Sequence, residues 1–238
     1  MPAVIEIAAT PAEALVIEAD AYAVIDCLRA TTTIAALFGA GLRRLWVVSD
    51  IGDARRRAEE RSALLFGEVG GLPPGGFDYG NSPVEAARAP VRGREAVLFT
   101  TNGTVALTSL AGRGAVFAAA PANASAVLAA LEPFERVAFV CAGAAKGTRF
   151  ALEDFASAAY FVQRGHALWG HARPGDLALL GLGTPDPLSL IGMGHHADAV
   201  RSVGLPGDVD FCALADTSSS VPRITAHGPG YAMLEDAL

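Results

Sequence analysis

Tyr22-Ala-Val-Ile-Asp26-Cys27-Leu28-Arg29-Ala30-Thr31-Thr32-Thr33 is an apolar run that stops at an acid and breaks into small polar residues before the apolar stretch at 34–38. A continuous apolar run of this length predicts a strand buried on both faces, and the pattern behind it predicts a helix. The arrangement recurs twice. Ala96-Val-Leu-Phe-Thr100-Thr101-Asn102-Gly103-Thr104 leads into an apolar stretch at 105–110. Arg136-Val-Ala-Phe-Val-Cys141-Ala-Gly143 passes through Lys146-Gly-Thr-Arg149 to Leu152-Glu153-Asp154 and an amphipathic helix. Alternating strands and helices predict a three-layer α/β/α fold on a largely parallel or mixed sheet. The three strand–loop–helix units hint at an internal repeat. Ligands of open α/β sheets bind beyond the carboxyl ends of the strands, so parallel strands would gather three polar loops around one crevice.

Working outward, residues 4–8, 45–48, 63–66, 115–118 and 137–140 are predicted strands. Residues 52–62, 124–131, 150–164 and 195–203 are predicted helices, and 11–14 a turn or short helix. A threonine among Thr31, Thr32 and Thr33 is expected to cap the helix after Asp26, and Gly39 and Gly41 to end it. Asn123 is expected to cap residues 124–131, and Ser82 a short helix opened by Pro83. Residues 221–225 read as a late strand at a sheet edge, and 209–214 as a further helix. Glycines and prolines forbid regular structure over 69–83, where the embedded Phe77, Asp78 and Asn81 predict an ordered binding loop. The Gly- and Pro-rich segment 170–194 takes no assignment.

With 238 residues, the chain accommodates one α/β domain spanning 1–238, or two closely packed halves. Hydrophobic residues make up 52% and charged residues 18%, so a large core is assured and long disordered segments are not expected. A net charge of −7 gives no general reason to bind nucleic acid or an anionic membrane. Cys27, Cys141 and Cys212 are scattered without Cys-x-x-Cys spacing, which predicts free thiols in a reducing compartment. Met1-Pro-Ala-Val-Ile-Glu6 lacks the basic and apolar regions of a signal peptide, and no apolar run is long enough for a membrane span. A cytoplasmic protein is expected.

Asp26, Glu68, Asp78 and Asp154 stand at predicted strand ends, loops or helix starts. Carboxylates among serine, threonine and asparagine oxygens suit a hard cation, and Mg²⁺ typically takes one or two carboxylates plus water and phosphate. Each acid alone could equally cap a helix or pair with an arginine. Arg29, Arg149 and Lys146, the lone lysine of the chain, are the cations of the polar loops. They would hold phosphate or another anion, together with hydroxyls and N–H groups from Thr31, Thr32, Thr101, Asn102, Gly103 and Thr104. Helix capping accounts for part of the threonines. Cys141 reads as a small buried thiol rather than a nucleophile, because its spacing to Arg149 exceeds the phosphate-wrapping loop of cysteine phosphatases. His195-His196 has no acidic partner at metal-ligand spacing and is expected at the surface. No Walker loop or strand-linked Gly-x-Gly-x-x-Gly is present.

The blocks Val24-Ile-Asp26-Cys-Leu-Arg29-Ala-Thr31-Thr32-Thr33-Ile34, Gly67-Glu68, Gly76-Phe77-Asp78-Tyr-Gly80-Asn81-Ser82-Pro83, Thr100-Thr101-Asn102-Gly103-Thr104, Cys141-Ala-Gly143 and Leu152-Glu153-Asp154 resemble the 2-phosphosulfolactate phosphatase family. They follow the family's order over most of the chain, with looser agreement from Gly170 onward. The resemblance implies a three-layer fold and a Mg²⁺-dependent phosphomonoesterase of coenzyme M biosynthesis. Such an enzyme converts 2-phospho-3-sulfolactate to 3-sulfolactate and phosphate. It implies metal ligands among Asp26, Glu68, Asp78 and Asp154, with Asp26 as ligand or nucleophile and Asp154 acting on water. It implies Arg29 and Lys146 as catalytic cations, and the threonine loops, Asn81, Ser82 and Arg149 as substrate contacts. Another small phosphorylated carboxylic acid could be the substrate. A non-catalytic anion-binding protein and a cysteine-dependent hydrolase are the alternatives from other classes. A homo-oligomer is compatible with the resemblance.

Overall fold

A computed structural model describes all 238 residues. The strands are β1 (Val4–Ala8), β2 (Ala21–Ile25), β3 (Arg44–Val48), β4 (Leu64–Gly67), β5 (Glu95–Phe99), β6 (Ala115–Ala118), β7 (Arg136–Cys141), β8 (Arg173–Pro174), β9 (Pro222–Gly228) and β10 (Tyr231–Asp236). The helices are α1 (Pro11–Ala14), α2 (Ala30–Gly39), α3 (Ile51–Arg61), α4 (Pro83–Ala86), α5 (Gly103–Leu110), α6 (Ala124–Leu131), α7 (Leu152–Trp169), α8 (Asp176–Leu182), α9 (His195–Ser202) and α10 (Pro206–Cys212). The chain is α/β, as its alternating pattern predicts.

All ten strands join one sheet in the order β4-β5-β3-β10-β9-β6-β2-β7-β1-β8. Strands β4, β5 and β3 form one parallel block, and β6, β2, β7, β1 and β8 another. The hairpin β9–β10 stands between them and is antiparallel to both neighbours. Contact with the second block is a single residue pair, Phe117–Arg223. Strand β9 is therefore internal, not the edge strand expected for 221–225, and β10 is an element the sequence reading missed. The edge role belongs to β4 and to β8, whose Pro174 needs no donor on an outer strand.

Period-two alternation along the strands builds two cores. Ala21, Ala23 and Ile25 of β2 pack with Val137, Phe139 and Cys141 of β7 on one face. Tyr22, Val24, Ala138 and Val140 point to the other, and share that core with Leu45, Val47, Phe66 and Leu98 of the opposite block. Helices cover both faces, giving the three layers.

Helix α2 begins at Ala30 with Arg29 in the cap position and no side-chain cap, so the threonines lie inside its first turn rather than ahead of it. Thr31 Oγ1 accepts from the Asp26 N–H and donates to the Asp26 carbonyl, and Thr32 donates to the Cys27 carbonyl. Thr104 repeats this at the start of α5, accepting from the Thr100 N–H and donating to its carbonyl. The recurring threonines thus tie each helix to the end of its strand. Ser82 caps α4 as expected, accepting from the Glu85 N–H. Asn123 sits at the α6 boundary, but its side chain bridges Ala120 N–H to the carbonyls of Ala118 and Ser220. Residues 170–194 fold into β8, α8 and a 3₁₀ turn. No helix is long and apolar enough to cross a membrane.

Candidate active site

A cavity of about 250 Å³ opens at the carboxyl ends of β2, β4 and β5. Asp26, Arg29, Glu68, Asn81, Thr101 and His196 supply most of its polar lining. Asp26 is the first residue beyond β2 and is only 6% exposed. Its Oδ1 accepts from the Ala30 N–H at 3.3 Å, while Oδ2 accepts no hydrogen bond. A Cβ on Gly103 would stand 2.6 Å from that Oδ2 and 2.6 Å from Ala30 Cβ, so glycine is what lets α5 begin against this carboxylate. Burial raises the Asp26 carboxyl to about 6, with His196 and the Ala30 N–H pulling the other way. It can carry charge at neutral pH and still accept a proton.

Arg29 is buried beside it. Its Nη1 donates to Asp208 Oδ2 at 2.7 Å and Nη2 to the Gly71 carbonyl at 2.6 Å. Asp208, on α10, also accepts from Ser82 Oγ at 2.6 Å. This network ties the β2 loop to α4 and α10. Glu68 takes a similar fastening role: Oε1 accepts from the N–H and hydroxyl of Thr101, and Oε2 from the Gly71 N–H. Gly71 serves both neighbours because it adopts a φ of +86°, which glycine tolerates.

Asp154 joins the first and third loops from beneath. Oδ1 accepts from the Cys27 N–H at 2.8 Å and Oδ2 from the Gly143 N–H at 2.9 Å. Burial, then the charges of Asp26 and Glu153, pushes its carboxyl well above the ordinary range. Both oxygens are occupied, so Asp154 is better placed to hold the loops than to act on water. Asp78 lies outside the crevice, exposed, with Oδ2 accepting from the Leu65 N–H. Of the four acids proposed for a cation, Asp26 and Glu68 line the cavity.

The third loop flanks the cavity rather than lining it. Lys146 is exposed, and its N–H donates to Asn102 Oδ1 at 2.9 Å. Arg149 opens onto a second, larger groove of about 790 Å³ with Phe150, Met193 and His195. Asn102 lines the smaller cavity, and Gly103 backs Asp26. The hydroxyls of Thr31, Thr32, Thr101 and Thr104 are already engaged with the protein. Asn81 differs: it is 4% exposed, and its buried Oδ1 has no partner. An unpaired polar atom of this kind in a polar cavity awaits a ligand or water. Cys141 is buried, and burial followed by the charges of Asp154, Glu13 and Glu153 raises its thiol well above the usual range. A neutral thiol is no nucleophile.

His195 is exposed as expected, whereas His196 is only 34% exposed and has the acidic partner its sequence spacing did not offer. It lines the cavity, and its Nδ1 lies 2.6 Å from Oε1 of Glu153, itself only 2% exposed. Burial opposes charge on the ring, but the hydrogen bond and charge of Glu153, helped by Asp26 and Glu68, outweigh it and raise the imidazolium's pKa. The partner lies 43 residues away in sequence, beyond any local spacing rule. Asp208 was missed for the same reason.

No three His, Cys, Asp or Glu side chains converge as a ready-made metal cage. An unengaged Asp26 oxygen in a polar cavity instead fits an ion bound through one carboxylate, water and substrate phosphate, the habit of Mg²⁺.

A family model described as 2-phosphosulpholactate phosphatase matches residues 9–227. A protein of Thermus thermophilus named "Probable 2-phosphosulfolactate phosphatase" is 39% identical over 210 residues, spanning 85% of this chain and 87% of its own. A Deinococcus radiodurans protein of the same name is 37% identical over 213 residues, with 86% and 88% covered. One from Pseudothermotoga lettingae is 34% identical over 210 residues, with 84% and 87% covered. The match runs through every strand that borders the cavity, and the chain belongs to the 2-phosphosulfolactate phosphatase family.

Proposed function

We propose that the protein is a Mg²⁺-dependent phosphomonoesterase that hydrolyses 2-phospho-3-sulfolactate to 3-sulfolactate and phosphate, a cytoplasmic step of coenzyme M biosynthesis. The observation that carries this reading is a buried carboxylate with one open oxygen, Asp26, sharing a 250 Å³ polar cavity with the Arg29 guanidinium and the unpartnered Asn81. Bound at Asp26, Mg²⁺ would screen the phosphoryl charge and polarise its oxygens. Arg29, held by Asp208 and Gly71, presents its remaining N–H donors to the same oxygens. The Nδ2 amide of Asn81 is the group able to donate to the phosphoryl oxygens, its Oδ1 acceptor being suited to a water, and the N-terminus of α5 at Gly103 adds favourable dipole for an anion. Arg149 and Lys146, exposed on the adjoining loop, suit the carboxylate and sulfonate.

The family names carried by relatives support the substrate, and the volume of the cavity suits a phosphoryl group with few further atoms. The test is phosphate release from a panel of phosphorylated C3 acids, including 2-phosphosulfolactate, with Mg²⁺ and with EDTA. Mg²⁺-dependent release from 2-phosphosulfolactate is the expected result. Release from another member alone would replace the substrate, and tight binding without release would replace the enzyme reading by an anion-binding one.

A further inference from the structure

Hydrolysis of an alkyl phosphate leaves an alkoxide unless something protonates the bridging oxygen, and a cavity of carboxylate, guanidinium and amide supplies no obvious proton. His196 is the side chain common to the 250 Å³ cavity and the 790 Å³ groove. A substrate whose phosphoryl group fills the first and whose organic acid extends into the second would pass its ester oxygen beside this ring. Nδ1 is fixed on Glu153 Oε1, so the tautomer and ring orientation are set from behind and Nε2 takes no hydrogen bond from the protein. Glu153, at the start of α7, holds the ring at Nδ1, and Asp26 beyond β2 and Glu68 beyond β4 line the same cavity. None of them can donate to a leaving group while ionised, whereas the Glu153 carboxylate, paired directly with Nδ1, favours the protonated ring.

We infer that His196 is the general acid of this site, donating its Nε2 proton to the leaving oxygen, with Glu153 as the residue that positions it. This rests on the phosphomonoesterase reading. The bond between phosphorus and the ester oxygen breaks, and that oxygen takes the Nε2 proton to leave as the alcohol. A water oxygen forms the new bond to phosphorus, and both its protons leave with the product as dihydrogen phosphate. Loss of one of these to solvent and return of a proton to Nε2 restores the ring.

A half-buried ion pair that merely docks α9 on α7 would make the same contact, so the test needs a readout that docking does not move. Wild type and His196→Asn are compared, as full chains with Mg²⁺, on phosphate monoesters whose alcohols run from p-nitrophenol to 2-hydroxy acids. General acid catalysis contributes on the order of 10²–10⁴-fold. His196→Asn is expected to lose about that factor in kcat/KM on the 2-hydroxy acid esters, and less than about tenfold on p-nitrophenyl phosphate, whose phenolate leaves unaided. Imidazole in the buffer should restore turnover of alkyl esters by His196→Gly. An equal loss on all esters overturns the inference. Should the His196 variants fail to fold, Glu153→Gln carries the comparison: a loss selective for alkyl esters supports the assignment, and a uniform loss refutes it. A wild type that hydrolyses none of the esters would refute the phosphomonoesterase reading itself.

Discussion

Replacing Gly103 by alanine sets two effects against each other at the first residue of α5. Helix propensity favours the change by up to ~1 kcal/mol. The new methyl would stand 2.6 Å from Ala30 Cβ and 2.6 Å from Asp26 Oδ2. Carbon atoms prefer roughly 3.5–4.0 Å, so the helix start must retreat by about 1 Å or the carboxylate must turn away. Overpacking of this kind costs about 1–3 kcal/mol, which leaves a net loss of up to ~2 kcal/mol. For a chain of this size that is a fall in Tm of roughly 4–8 °C. Activity should fall much further, because a misplacement of about 1 Å at a reacting group can cost ~10²-fold. Gly103→Ala is therefore expected to be folded, mildly destabilised and about a hundredfold slower in kcat with Mg²⁺. Phosphate release and a thermal melt on the same preparation read both quantities. A variant with wild-type kcat and a raised Tm would refute the claim that this glycine exists to bring α5 against Asp26.

Asp26→Asn, in EDTA, should melt above the wild type at pH 7.5. Burial raises the folded carboxyl from 3.8 to about 6, so its favourable contribution is complete below about 3.8 and lost as pH rises to about 6. The ionised group then costs on the order of 3 kcal/mol, and the gap in Tm should close toward pH 4; a gap independent of pH would contradict this origin. Asp208→Ala leaves the buried Arg29 without its carboxylate, an expected loss of about 3–5 kcal/mol in urea unfolding. Ser82→Ala keeps that ion pair but loses one bond to Asp208 and the α4 cap, and should cost about 2 kcal/mol; a loss equal to that of Asp208→Ala would deny the pair its role. Asp78→Ala should leave turnover and its Mg²⁺ dependence unchanged, since Asp78 sits outside the cavity; a shifted Mg²⁺ requirement would return it to the site.

What the sequence made legible was local. The apolar runs of β2 and β5, each broken by polar residues before a helix, located the mouth of the cavity, where Asp26, Arg29, Asn81 and Thr101 lie, while the loop after β7 only flanks it. What it concealed depends on contacts between distant residues. His196 looks solvated until Glu153 is brought beneath it, and Asp208 carries no signal without Arg29, 179 residues upstream. Thr31 and Thr104 have the right chemistry for an anion, but their hydroxyls reach the backbone of their own loops first. Asp154 has the same ambiguity: a carboxylate at a helix start suits a metal, and only the Cys27 and Gly143 N–H groups reveal that both oxygens are taken. Strand β9 is polar enough to read as an edge because six of its seven residues are at least partly exposed, among them Arg223 and His227, and on its β6 side only Arg223 is paired.

The most direct measurement compares wild type and Asp26→Asn for phosphate release from 2-phosphosulfolactate, each with MgCl₂ and with EDTA. The account predicts release from the wild type with Mg²⁺ alone, and none from the other three reactions. Turnover by Asp26→Asn at the wild-type rate, or wild-type turnover undiminished by EDTA, would contradict it.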